Sequence, residues 1–119
     1  MGDQLITVIV IDDHDVVRRG LRSSLAEANP PIHLVEAAPR VASAWTGPGG
    51  TADVVVLDLQ LGSNELPVFG ELRRLVDAGR RVVVHTHYTD RGTGVRCIGL
   101  GARGIRVRCG GRVRRQGMG

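Results

Sequence analysis

Four apolar, β-branched runs recur along the chain: Leu5–Ile11, Ile32–Glu36, Asp53–Asp58 and Arg81–Thr86. The first, third and fourth are nearly unbroken Val, Ile and Leu, the pattern of strands buried on both faces of a parallel sheet. Between them the apolar spacing becomes helical. Residues His14–Asn29 place Val16, Val17, Leu21, Leu25 and Ala28 on one stripe with arginines opposite, and Pro30-Pro31 stops the run. Pro39–Trp45 predicts a short second helix, ended by the Gly/Pro-rich loop Thr46–Thr51. Leu66–Ala78 predicts a third, carrying Leu72, Leu75 and Val76, with Gly79 as its C-terminal cap. A fourth helix over Asp90–Gly101 is weakened by Gly92, Gly94 and Gly99, each costing on the order of 1 kcal/mol against alanine. A fifth strand is expected over Arg103–Val107. Strands alternating with helices through short loops predict a doubly wound α/β fold.

Two of the strand ends carry acids. Asp12 and Asp13 close the first run and Asp58 closes the third, while Thr86 ends the fourth. In a doubly wound fold ligands bind beyond the carboxyl ends of the strands, so these residues are expected at the edge where chemistry occurs. Carboxylates brought together repel and resist ionising unless a cation joins them. The pattern therefore asks for a divalent metal, and a metal beside a carboxylate suits phosphoryl chemistry.

Charge changes the picture at one end only. Of 119 residues, 12 are Asp or Glu, and all lie at or before Asp90; the 16 positive charges are all arginine. Eight arginines against twelve acids give the first 90 residues a net −4, and eight arginines alone give the last 29 a net +8. The basic character thus describes a tail and not a nucleic-acid-binding face; the tail has no aromatic residue to stack a base. With 42% hydrophobic residues the chain should fold, as one domain. No apolar stretch approaches the roughly 18 residues of a membrane span, and a cytoplasmic protein with reduced Cys97 and Cys109 is expected.

With those positions fixed, the chain resembles the receiver domain of a bacterial two-component response regulator. Val8-Ile-Val-Ile-Asp-Asp-His-Asp-Val-Val-Arg-Arg-Gly-Leu21 is similar to the opening of the subfamily whose receivers usually precede a LuxR-type helix-turn-helix domain. Val55-Val-Leu-Asp-Leu-Gln-Leu61 resembles the phosphoacceptor strand, Val82-Val-Val-His-Thr86 the fourth strand with its terminal hydroxyl, and Gly101-Ala-Arg-Gly-Ile105 the turn into the fifth. The resemblance implies a flavodoxin-like five-stranded parallel sheet of order 2-1-3-4-5. It implies that Asp58 accepts a phosphoryl group from a sensor histidine kinase. Mg²⁺ would be held by Asp12, Asp13, Asp58 and the Gln60 backbone carbonyl, with Asp12 acting through water. Thr86 would bond the phosphoryl group and bias the surface of the fourth helix and fifth strand, in the family to control transcription.

Several residues depart from the family pattern. Arg108 stands in place of the family lysine, either as a phosphate contact or as a solvated arginine. Ile105 replaces the switch aromatic, and His87 follows Thr86 where the family has a small residue. His85 and His87 alternate along a strand, but no third ligand stands near for a metal. Related Asp-nucleophile hydrolases carry a second acid two residues on; here that residue is Gln60, so a turnover enzyme is not expected. The receiver is expected over residues 1–108. Residues 109–119, with four glycines, are expected to be a disordered tail with the fifth helix missing, no effector domain and no DNA binding of its own. Such an ending, and the lack of lysine, suit a GC-rich gene read past a frameshift or truncated there. The sheet face or the fourth-helix/fifth-strand surface would then be open to homodimerisation. The competing reading is a degenerate receiver, acting as an interaction module without phosphorylation.

Overall fold

Each apolar run forms a strand, and from Val8 to Ile11 the first of them is buried, while Leu5 and Ile6 at its start are exposed. A computed structural model describes residues 5–30, 32–61, 68–86, 91–109 and 112–115, with the backbone only for 107–109 and 112–115. In chain order the elements are β1 (Ile6–Ile11), α1 (Asp15–Ala26), β2 (Ile32–Ala38), a 3-10 turn (Val41–Ala44) and α2 (Gly47–Gly50). There follow β3 (Val54–Asp58), α3 (Phe69–Asp77), β4 (Arg81–Thr86), α4 (Arg91–Gly99), β5 (Gly104–Cys109) and β6 (Arg112–Arg115). The strand order is β2-β1-β3-β4-β5-β6; the first five form the expected parallel 2-1-3-4-5 sheet, and β6 runs antiparallel to β5. The chain forms two units, Met1–Val56 and Leu57–Gly119, with the division inside β3.

In the first unit Val8 and Val10 of β1 pack with Val17 and Leu21 of α1, and Leu25, Ile32, Leu34 and Val54 close around them. The buried stripe of α1 is narrower than the sequence pattern, because Val16 is exposed. Asp15 in the first turn of α1 complements the helix dipole and pairs with Arg19 at 2.8 Å. A reciprocal clamp ties the starts of β1 and β3. The Thr7 backbone N–H and hydroxyl donate to Asp53 Oδ2 at 2.8 and 3.0 Å, and the Asp53 N–H donates back to Thr7 Oγ1 at 2.9 Å. Gly20 sits inside α1 with no atom near the place its Cβ would take. Gly20→Ala is therefore expected to stabilise the chain by about 0.5–1 kcal/mol, read as a higher denaturant midpoint.

Two expectations about this unit are corrected. Strand β2 continues past Glu36 to Ala38, because a register shift beside Val8 and Ile9 brings Ala38 opposite Ile11. The expected second helix is only a 3-10 turn, and the short helical turn α2 lies in the expected Gly/Pro loop. Packing explains it: Gly49 is buried so tightly that a Cβ would overlap the Ser43 carbonyl and Ile9 Cδ1.

In the second unit Leu72 and Leu75 of α3 are buried while Arg73 and Arg74 face solvent, the period the sequence predicted. The helix ends as expected at Gly79, whose φ of 85° is open to glycine at little cost; Arg80 N–H closes onto the Leu75 carbonyl at 3.0 Å. The Arg96 guanidinium of α4 lies 4.2 Å over the Phe69 ring of α3. Cys97 is buried, which pushes its thiol pKa up, with Arg96 opposing in part; it is free, consistent with a reduced, unreactive role. Within the segment expected as a tail, Arg112–Arg115 forms β6. Cys109 pairs with Arg112 and Arg106 with Arg115, so β5 supplies a free edge for a strand too short and glycine-flanked to be read from sequence. Among the described residues no helix follows β5.

Candidate functional site

The first unit sets its acids at the carboxyl end of β1. Asp12 continues the strand pairing, its N–H donating to the Ala38 carbonyl at 2.9 Å, which buries the residue to 2% exposure. Its Oδ1 accepts the His14 backbone N–H at 2.8 Å, closing a turn that starts α1. The His14 ring returns over the acids, Nδ1 lying 3.0 Å from Asp12 Oδ1 and 3.1 Å from Asp13 Oδ1. Arg18 reaches back from α1 to the Asp12 carbonyl at 2.7 Å. Asp12 is thereby held by the strand, the helix start and a cation on its main chain, while Asp13 stays accessible.

The second unit presents Asp58 at the carboxyl end of β3, 4% exposed. Its Oδ1 accepts the Gln60 N–H at 2.9 Å, an Asx turn that fixes the carboxylate as the chain leaves the sheet. Leu59 N–H donates to the His85 carbonyl at 3.0 Å, so the ends of β3 and β4 run level. Buried Thr86 therefore stands at the strand end beside that of Asp58. Burying a carboxylate is expensive unless donors or cations compensate, and the Gln60 N–H is one such donor.

No family model matches the chain. The DNA-binding transcriptional activator DevR/DosR of Mycobacterium tuberculosis is 36% identical over 107 residues, 87% of this chain and 48% of that protein. The chain thus spans about half the length of this curated relative. The solved structure of a two-component response regulator of the LuxR family from an Aurantimonas species is 27% identical. It aligns with a TM-score of 0.69 over 86% of this chain and 73% of its own. This chain is a receiver domain of the LuxR-type response regulators. The response regulator domain of Thermotoga maritima CheB has the same fold, with a TM-score of 0.76 and 20% identity over 91% of the receiver and 81% of its own chain.

Of the residues expected to act in the receiver, Asp12, Asp13, Asp58 and Thr86 all stand at carboxyl strand ends, with Gln60 two residues beyond Asp58. Arg108 lies within β5 and not after it; Thr86 pairs with Val107, so the Arg108 backbone is one residue further along, and its side chain lies outside the described residues. His87 lies outside them as well. His85 is buried within β4. Two residues were not singled out by the sequence pattern: His14, which covers the acid pair, and Arg18, which holds the Asp12 carbonyl. A histidine directly after two strand-end acids was a readable signal for the first. Arg18 looked like any arginine on a polar helix face.

Proposed function

We propose that the receiver acts in two-component signalling, with Asp58 accepting a phosphoryl group from the phosphohistidine of a sensor kinase in the cytoplasm. The observation that carries the reading is a buried Asp58, its carboxylate fixed by the Gln60 N–H, with Thr86 at the neighbouring strand end. An Asp58 oxygen forms the new P–O bond as the P–N bond to the kinase imidazole breaks, and the ring nitrogen leaves with a proton. Asp12 and Asp13 after β1, and Asp58 with the Gln60 backbone carbonyl at the end of β3, each offer hard oxygens, which is the donor chemistry of Mg²⁺. An ion held there would supply positive charge to offset that of the phosphoryl oxygens. Thr86 offers its hydroxyl to the new phosphoryl group. Arg108 stands in place of the family lysine, where its guanidinium could bind a phosphoryl group in a bidentate fork. Gln60 cannot serve as a general acid or base, so the receiver undergoes its own phosphorylation without being a turnover enzyme.

The output surface is α4 with β5. Val95 and Ile98 are 66% and 52% exposed, and with Arg91, Gly94 and Ile105 they line a groove of about 340 Å³. Half-buried Ile105 offers a small apolar switch there, for a second copy or, in the longer family members, for control of transcription. A phosphorylation-independent interaction module is the second reading, favoured by Ile105 and by β6 following β5 where receivers have a helix. Beryllofluoride with Mg²⁺ separates the two. Shifts of the Thr86 and Ile105 amide resonances are expected under the first reading; an unchanged spectrum of the folded chain would leave the second.

A further inference from the structure

We infer that His14 is an additional metal ligand of the receiver, which tunes its cation site toward ions that accept nitrogen, such as Ni²⁺ and Zn²⁺. This rests on the proposal that Asp12 and Asp13 hold a divalent cation. His14 Nδ1 lies 3.0 Å from Asp12 Oδ1 and 3.1 Å from Asp13 Oδ1. Two ligands side by side on one ion, each about 2.1 Å away, stand about 3.0 Å apart. The imidazole nitrogen therefore stands from each of the two carboxylate oxygens at the spacing of neighbouring ligands. The His14 backbone is held beside the acids, because its N–H donates to Asp12 Oδ1 at 2.8 Å. His14 also occupies the N-cap of α1 without capping it by its side chain. The two acids and the ring offer an entry path as well. The His14 side chain is 56% exposed and that of Asp13 29%, against 3% for Asp12. A neutral ring with its proton on Nε2 presents the Nδ1 lone pair to the ion. Mg²⁺ keeps to oxygen ligands and gains little from imidazole, whereas Ni²⁺ and Zn²⁺ bind it well.

The test is calorimetric titration of the full chain with Mg²⁺ and with Ni²⁺. Native, His14→Ala and Asp13→Asn chains are compared after circular dichroism shows each to be folded. His14→Ala is expected to weaken Ni²⁺ by about tenfold or more and to change Mg²⁺ by less than about twofold. Zn²⁺ should also shift the Nδ1 resonance of a histidine that is missing from the His14→Ala spectrum. Equal losses for the two ions, an unchanged Ni²⁺ affinity, or a still Nδ1 resonance would show a ring that only donates to the acids, and would overturn the inference. Asp13→Asn separates the two layers. If it weakens Mg²⁺ while His14→Ala leaves Ni²⁺ untouched, only the role of His14 fails. If it leaves both ions unaffected, the acid site itself fails and His14 with it.

Discussion

Asp58→Asn is expected to abolish the mass increment that a small phosphodonor and Mg²⁺ add to the native receiver, with the fold retained. An amide nitrogen is no nucleophile toward phosphorus at neutral pH, and the proposed chemistry offers no second acceptor. The amide oxygen can still accept the Gln60 N–H that Oδ1 accepts at 2.9 Å, so the turn leaving β3 survives. Replacing a buried carboxylate by a neutral group of the same shape also removes a desolvation cost, so the denaturant midpoint should not fall. Thr86→Ala makes the internal contrast. It should keep the mass increment, because Thr86 supplies no electrons to the new bond, yet lose the resonance shifts at Ile105 because the hydroxyl that links the phosphoryl group to β4 is gone. A mass increment persisting in Asp58→Asn would place phosphorylation elsewhere in the chain. Loss of the increment in Thr86→Ala would make that residue part of the transfer and not of the response.

The parts of this architecture legible from sequence are those where local pattern and burial agree. Strand β4 has the predicted bounds, β1 and β3 each lose one residue at the start, and α4 forms despite its glycines. Those strands are continuous Val and Ile because both faces are covered, so composition alone carried the signal. The strand ends then located Asp12, Asp58 and Thr86, since each apolar run gives way to a polar residue at the carboxyl end of its strand, although all three are buried. Where long-range contacts decide, the pattern was silent. Glu36, Ala37 and Ala38 have little strand preference, yet pairing to β1 extends β2 through them. Arg112–Arg115 has no apolar face, but β6 needs only the free edge of β5. The contacts of His14 and Arg18 with Asp12 depend on how α1 leaves β1, a direction that no spacing encodes.

Gly49→Ala is expected to destabilise the receiver by about 3 kcal/mol, the largest effect of a Gly→Ala change among the described glycines of the first unit. The added Cβ would collide with the Ser43 carbonyl, which belongs to the backbone of the 3-10 turn and cannot rotate away. On the other side it meets Cδ1 of Ile9, a fully buried residue of β1 with no solvent to swing into. Either α2 lifts from β1 or Ile9 shifts the strand that ends in Asp12. Neighbouring glycines provide the scale. At Gly50 a Cβ would stand 3.2 Å from the Trp45 carbonyl group, tight but open to a small adjustment. At Gly47 the space is empty and only the φ of 59° opposes a side chain, at about 1–2 kcal/mol. Urea titrations should therefore rank Gly49→Ala well below both Gly47→Ala and Gly50→Ala in midpoint. If Gly49→Ala proves no worse than Gly47→Ala, close packing of α2 does not hold this segment, and the Gly/Pro stretch is the loop its composition suggests. If the ranking holds and Mg²⁺ affinity falls with stability in Gly49→Ala alone, the strain has travelled along β1 from Ile9 to Asp12.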